Sequence, residues 1–425
     1  MNDKKEISKV GTGRLKSRIS DTELEELFSL GDLYMSDFID DRSPHPTKVP
    51  LTLALDSKSG LLQLKHTAPS EAMYEQYWYR SGINSTMTEE LKGIALKAIS
   101  LIKCKKNDTV IDIGCNDGTL LSFYGDDYYK VGFEPAKNMR KYAEKYANLI
   151  IGDYFTAKGY FDKRNEKAKI ITSIAMFYDL EEPDKFVNDI KLVLDTEGLW
   201  IVQMSYMPLM LKQLAFDNIC HEHLEYYSLS SFDYLIKKHD MKVVDVELND
   251  VNGGSFRIYI RKNKSHNHLF ATAPYREVSE FRVNSLLEYE KKLNLNNPGT
   301  YTSWFKNILE LKRQTVDFIR SEKKKGKTIW GYGASTKGNT LLQWYGLDNT
   351  LIDAIAERNP DKFGKWTVGT NIPIKSEDEM RQAKPDYLLV LPWHFISEFA
   401  NREREYLKAG GKFIVPCPKF EVISG

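Results

Sequence analysis

The sequence predicts an α/β protein: a small N-terminal module followed by two doubly wound, parallel-sheet domains. Three observations carry this. Residues 91–262, and again the residues from Lys327 onward, alternate short apolar runs with helix-like segments. That is the pattern of buried parallel strands joined by crossover helices. The first run of each stretch ends in a glycine turn, at Gly114 and at Gly331-Tyr332-Gly333. The chain has 425 residues, 42% apolar and 28% charged, which is ordinary globular composition and enough for two or three domains.

The elements follow in order. Residues 1–90 read as irregular, with turns at Gly31-Asp32 and Ser57-Lys58-Ser59-Gly60. Strands are expected at 109–113, 130–134, 170–174 and 199–203, each short, apolar and closed by turn residues. Residues 263–320 read as mostly helical, with apolar residues at helical spacing over 277–292 and 304–325. A second set of strands is expected at 328–332, 351–356, 387–391 and 412–415. The domains are accordingly 1–85, 86–262 and 263–425.

Composition excludes several classes of function. A net charge of +1 gives no footing for nucleic acid or a membrane surface. No apolar run approaches the ~20 residues that span a bilayer. Met1-Asn2-Asp3-Lys4-Lys5-Glu6 lacks the apolar core of a secretory signal. Cys104, Cys115, Cys220 and Cys417 show no paired spacing, as suits a reducing compartment and neither a disulfide framework nor a cysteine metal site. A cytoplasmic monomer or weak dimer acting on a small molecule is expected.

The most legible chemistry is Val110-Ile111-Asp112-Ile113-Gly114-Cys115-Asn116-Asp117-Gly118, a strand running into a glycine turn and then a helix. Gly114 lets backbone approach a ligand with no Cβ in the way, and Gly118 lets the helix start pack tightly. The order is not the GxGxxG of a dinucleotide site. Glu134 closes the next strand, where a carboxylate can accept both hydrogens of a ribose diol. Asp153 follows the strand after that, where an acid can face an adenine amino group. A generic βα turn with a chance acid is the plain alternative. Together the three resemble motifs I, II and III of class I S-adenosylmethionine (SAM) methyltransferases. That resemblance implies a central Rossmann-like methyltransferase domain, with Asp112, Gly114, Asn116, Glu134 and Asp153 at the cofactor.

A second dense segment is Cys220-His221-Glu222-His223-Leu224-Glu225-Tyr226-Tyr227-Ser228. Two histidines two residues apart share a face only in a strand, and the spacing is not the helical HExxH of zinc proteases. They could hold a metal, be satisfied core histidines, or supply one imidazole as a general base oriented by a carboxylate. The position at the carboxyl end of a parallel sheet favours the base.

With the glycine loop, this segment resembles the sugar C-methyltransferase family, which makes branched deoxysugars for antibiotics and O-antigens. Glu222, His223, Tyr226, Tyr227 and Ser228 match its pattern; some relatives carry a tyrosine where this chain has Cys220. Asn252-Gly253-Gly254-Ser255-Phe256-Arg257 resembles the family's Gly-Gly-Ser-x-Arg strand. Tyr77-Trp78-Tyr79-Arg80-Ser81-Gly82 resembles a motif that lies over the SAM site. Gly331 to Thr340 resembles the glycine turn of its C-terminal, second Rossmann-like domain. The resemblance implies His223, Glu222 and Tyr79 as catalytic residues and Tyr77 and Ser81 beside the cofactor. It implies Tyr227, Asn252, Gly253, Arg257, Gly333 and Lys337 against the substrate, a nucleotide-linked 4-keto-6-deoxyhexose. The 4-keto group acidifies the proton on C3; His223 removes it, an enediolate forms, and C3 takes the methyl of SAM.

Relatives usually begin with a four-cysteine zinc module. Here Ser17-Arg18-Ile19-Ser20-Asp21 and Asp56-Ser57-Lys58-Ser59-Gly60-Leu61-Leu62-Gln63-Leu64 stand in the two cysteine-pair frames. Hydroxyls and one carboxylate do not replace four thiolates. No zinc and no other metal is expected, and the module should be held by apolar packing and by its contacts with the next domain. Competing readings are methylation at C5 or on oxygen, a NAD-dependent sugar oxidoreductase using the second glycine loop with Glu357 as ribose acid, and a non-catalytic binding subunit.

Overall fold

The computed structural model describes residues 13–40, 47–68, 78–265 and 274–425. In the N-terminal part, β1 (Glu25–Tyr34), β3 (Lys48–Asp56) and β4 (Leu61–Leu64) form an antiparallel sheet, with β2 (Phe38–Ile39) beside it in sequence. This region was expected to be irregular. Two features hide the sheet. Register shifts after Glu26 and Ser29, with Gly31 at φ +90°, break the alternation of β1. Strand β3 is buried on both faces from Leu51 to Asp56, so its apolar residues do not alternate with polar ones.

The central sheet is built from β5 (Thr109–Ile113), β6 (Tyr129–Phe133), β7 (Leu149–Ile151), β8 (Ala168–Ile174) and β9 (Leu194–Ser205), followed by the antiparallel β11 (Met241–Asn249) and β12 (Ser255–Lys262). Its order is β11-β12-β9-β8-β5-β6-β7, with parallel pairing from β7 to β9. The four expected strands are present, and the β11–β12 pair is additional. The expected helix after the first glycine loop is only a 3₁₀ turn, Leu121–Phe123. Gly118 at φ +79° and Gly125 interrupt the short stretch before β6.

The C-terminal sheet has order β16-β14-β13-β17-β18-β19, from β13 (Ile329–Tyr332), β14 (Ala354–Glu357), β16 (Ile374–Ser376), β17 (Tyr387–Val390), β18 (Lys412–Val415) and the antiparallel β19 (Glu421–Ser424). Helices Tyr275–Leu293 and Pro298–Lys324 lead into it, close to the expected bounds. Among the described residues no helix is long and apolar enough to cross a membrane.

Segments cross the boundaries at 85 and 262. Strand β10 (Glu225–Tyr226), from the middle of the chain, adds to β4 as the fourth strand of the N-terminal sheet. Strand β2 pairs with β15 (Trp366–Thr367) of the C-terminal part. The His-Glu-His segment is therefore stitched to the N-terminal module. Leu64 N–H donates to Leu224 O at 2.8 Å, and the His221 Nε2–H donates to Val49 O at 2.8 Å. The buried Arg18 guanidinium lies 3.4 Å from the equally buried Glu225 carboxylate.

Ser17, Ser20, Asp56 and Ser59 converge. Asp56 Oδ2 accepts from Ser20 Oγ at 2.7 Å and from Ser59 Oγ at 2.6 Å. Each of the four side chains also accepts the backbone N–H two residues on, from Ile19, Thr22, Lys58 and Leu61. The two turns thus keep a knuckle geometry around a carboxylate hub. This donor set, without thiolate or imidazole, does not fit structural zinc. The module is held by this hub as well as by the expected apolar packing.

Serine hydroxyls hold the Asp56 carboxyl below its ordinary range against the opposing effect of burial. A carboxyl lowered on folding stabilises fully above its unfolded pKa, near 4, and this contribution fades as pH falls through the folded value. Asp56→Ala is expected to cost about 2–4 kcal/mol, for two charge-assisted hydrogen bonds at about 1.5–3 kcal/mol each less what relaxes. Thermal melts at pH 7 and pH 3 should show the difference shrinking in acid, and a chelator should leave the wild-type melting temperature unchanged.

Candidate functional site

Strand β5 delivers Asp112 to the first glycine loop. Thr172 Oγ1 donates to Asp112 Oδ1 at 2.7 Å, and burial pushes the carboxyl up to about 7. Gly114 turns the chain at φ +72°, and a Cβ there would stand 3.3 Å from the Met176 side chain and narrow the space above the loop. A Cβ at Gly118 would meet the Ala143 Cα at 2.8 Å, which is the tight packing expected of it. Glu134 accepts the Asn116 N–H and the Ala136 N–H, both at 2.8 Å. Asn116 in turn holds the strap above it: its Nδ2 donates to Tyr79 O at 3.0 Å, and its Oδ1 accepts the Ser81 N–H at 3.0 Å. Asp153 is exposed at the end of β7. Tyr77 lies outside the described residues.

Asp112, Gly114, Asn116, Glu134 and Asp153 line a cavity of about 1310 Å³, and Glu222, His223, Asn252 and Lys337 line the same cavity. The His223 ring is buried, with its face edged by Tyr178 at a centroid distance of 4.4 Å. Its Nδ1 lies 2.8 Å from Asn218 O; a carbonyl can only accept, so Nδ1 carries the hydrogen and Nε2 is left with its lone pair. Burial, with the Lys337 charge, pulls this imidazole down to about 3, so it is neutral at pH 7. Burial pushes the Glu222 carboxyl up to about 7.

Cys220 Sγ, a Glu222 oxygen and a His223 nitrogen lie within 4.8 Å of one another. A cation beside them disfavours a metal: the Lys337 charge acts on all three groups. His221 is not part of this group, because its ring is tied to Val49 in the N-terminal sheet. Of the three readings of the histidines, His221 takes the core one and His223 has the placement of a base.

The second glycine loop is filled by its own neighbours. Glu357 accepts N–H groups of Ala334, Arg358 and Asn359, and Lys362 Nζ donates to Ala334 O at 2.7 Å. Gly333, at φ +83°, faces Pro392 and does not line the cavity. Glu357 thus braces the loop, and unlike Glu134 it does not line the cavity. Lys337, on the first turn of the helix Thr336–Tyr345, instead crosses to the His-Glu-His segment and donates to Asn218 Oδ1 at 2.5 Å. Trp393 Nε1 donates to Asp217 Oδ2 at 3.1 Å beside it.

Besides Gly333, three residues expected at the substrate do not line the cavity. Tyr227 is fully buried among Phe177 and Phe232, because its strand-end position points into the apolar core. Arg257 is held by Glu90 at 2.6 Å and Gln203 at 2.9 Å, tying the helix Ser85–Leu101 to the sheet. Gly253 packs on Trp393 and His394, and its neighbour Asn252 reaches the cavity. Sequence reasoning missed Asn218, which touches both His223 and Lys337; an asparagine in a short turn carries no signal of its own.

The sheet order, the glycine loop with its acids, and a cavity opening at the carboxyl ends of the parallel strands define a class I methyltransferase domain. The comparisons agree and go further. Residues 84–246 match a methyltransferase domain, and residues 250–418 match the C-methyltransferase C-terminal domain. Two methyltransferase models thus match successive parts of the chain, and the second of them is specific to C-methyltransferases. The chain is similar to the C-methyltransferase NovU of Streptomyces niveus, at 29% identity over 383 residues, covering 89% of this chain and 88% of that protein. Among solved structures, a putative methyltransferase complexed with the Haloferax volcanii Trm112 methyltransferase activator aligns at 14% identity and TM-score 0.34, over 43% of this chain and 94% of that one. The plantazolicin methyltransferase BamL, in complex with a triazolic desmethylPZN analog and SAH, aligns at 14% identity and TM-score 0.33, over 42% and 86%.

Proposed function

We propose that this protein is a SAM-dependent sugar C-methyltransferase, adding a methyl group to C3 of a nucleotide-linked 4-keto-6-deoxyhexose. The observation that carries the reading is the single cavity joining the Gly114 loop to the Glu222–His223 pair. The loop suits SAM: Gly114 leaves the space a Cβ would narrow, and Glu134 and Asp153 stand on the same wall. Bound there, SAM supplies a methyl group on a sulfonium, open to attack by a carbon nucleophile.

The chain's own residues do the rest. Asn218 O fixes the His223 tautomer, so Nε2 is the atom that takes the C3 proton. Glu222, once ionised, stabilises the imidazolium that results. Tyr79 and Ser81, tied to Asn116 of the glycine loop through their backbone, line the same cavity. The large volume of the cavity accommodates a nucleotide sugar, with Asn252 at its wall.

Mass spectrometry of the purified protein with SAM and a panel of nucleotide-linked 4-keto-6-deoxysugars tests this. A gain of one methylene on one sugar, placed on C3 by NMR, is expected. A methoxy signal or a methyl on C5 would move the site of methylation. No gain on any sugar, with SAM bound, would remove the substrate class.

A further inference from the structure

Resting on that reading, we propose that Lys337 is the oxyanion-stabilising catalytic residue of the enolisation: its ammonium donates a hydrogen bond to the carbonyl oxygen on which charge develops. In the balanced step, His223 Nε2 takes the C3 proton. The C–H bonding pair forms the C3–C4 double bond, and the carbonyl π pair moves onto the oxygen. Lys337 keeps its own proton and shares it with that oxygen.

Four observations point to this. Lys337 lines the same cavity as Glu222 and His223, although it comes from the other doubly wound domain. One buried residue, Asn218, fixes both partners: its backbone oxygen accepts from His223 and its side-chain oxygen accepts from Lys337. Base and cation are thus both anchored on one buried residue, at its backbone oxygen and its side-chain oxygen. The ammonium also has capacity to spare. It has three donors, and the bond to Asn218 uses one of them. A cation that lines the cavity with donors to spare is placed for an anion that appears during the reaction.

Its field reaches the reacting groups: it holds Glu222 and His223 lower than burial alone would leave them for the one and adds to burial for the other, and it acts on His394 as well. The expected role of a helix-start lysine is to hold substrate phosphate. Here the turn serves itself, with Ser335 Oγ accepting the Gly338 N–H at 3.0 Å, and the lysine turns away from it toward Asn218.

The test is proton exchange at C3, followed by NMR in D₂O without any methyl donor. The probe is the nucleotide-linked 4-keto-6-deoxysugar that the wild type methylates in the panel above. Lys337→Met should lose about 10²–10³-fold in exchange at saturating sugar, the usual cost of an oxyanion donor, with KM within a few fold. Lys337→Arg should recover at least tenfold of that loss. The acid limb of the methyl-transfer pH profile should also move upward in Lys337→Met, because the charge that holds the Glu222 carboxyl down is gone; the exchange rate at saturating sugar is the readout that separates an oxyanion donor from a merely structural lysine. Lys337→Gln, which can still donate to Asn218, carries the same expectation if the methionine variant does not fold. Exchange at the wild-type rate, or a loss confined to KM as for a phosphate holder, overturns the assignment while leaving the C-methylation reading intact. A wild type that exchanges and methylates none of the panel removes the reading itself, and the assignment with it.

Discussion

His223→Asn lowers turnover by about 10²–10⁴-fold, the range a positioned general base contributes, while SAM affinity measured by isothermal titration stays within a few fold. The asparagine is chosen for what it keeps. Its amide can still donate toward Asn218 O, where His223 Nδ1 donates now, so the buried carbonyl is not orphaned. What it lacks is a basic nitrogen at the Nε2 position. His223→Ala differs in stability: leaving that carbonyl without a donor costs about 1–3 kcal/mol, readable as a lower melting temperature. The two variants should match in turnover and differ in stability. The hydrogen bonds that hold the glycine loop and Glu134 do not involve His223, which is why SAM binding should be spared. Full activity in both would sink the assignment of His223 as base.

Much of this site is readable from residue order alone, and the reasons are local. The strand 109–113 coincides with β5, because a five-residue apolar run closed by glycine has few other solutions. Gly114, Glu134 and Asp153 meet because a parallel sheet brings successive strand ends to one edge. Glu222 and His223 are legible for their chemistry. What is not legible is long-range pairing. Strand β10 joins a sheet whose other members lie some 160 positions away in the chain (Tyr226 pairs with Leu62), and no periodicity announces that. Arg257 looks like a substrate arginine until Glu90 is placed beside it. Tyr227 reads as a polar pocket residue, but its neighbours are Phe177 and Phe232. Lys337 reads as a substrate residue beside its own glycine loop, and only the packing of two domains shows that it reaches Asn218. Asp56 reads as a lost zinc ligand, and only the folded turns show it gathering Ser20 and Ser59.

Glu222→Gln should remove the acid limb of the pH profile and lower turnover above pH 7 by about 10²-fold. The magnitude comes from charge. A carboxylate within 4.8 Å of the imidazole favours its protonated form by roughly 3 kcal/mol at an effective dielectric constant near 20, about two powers of ten in proton affinity. The direction comes from the two titrations. His223 is held at about 3 by burial and by Lys337, so over the pH range of an assay it is neutral and contributes no limb. Glu222 is raised to about 7. Below that value it is protonated and cannot stabilise an imidazolium; above it the charge is present. Wild-type activity therefore rises as pH passes upward through about 7, and the group responsible is the carboxyl, although the proton taken from carbon goes to the histidine. Glutamine keeps the size of the side chain without the charge or the titration, so kcat should be flat across that window. A limb that persists unchanged in Glu222→Gln would assign the titration to another group and leave His223 without its electrostatic partner.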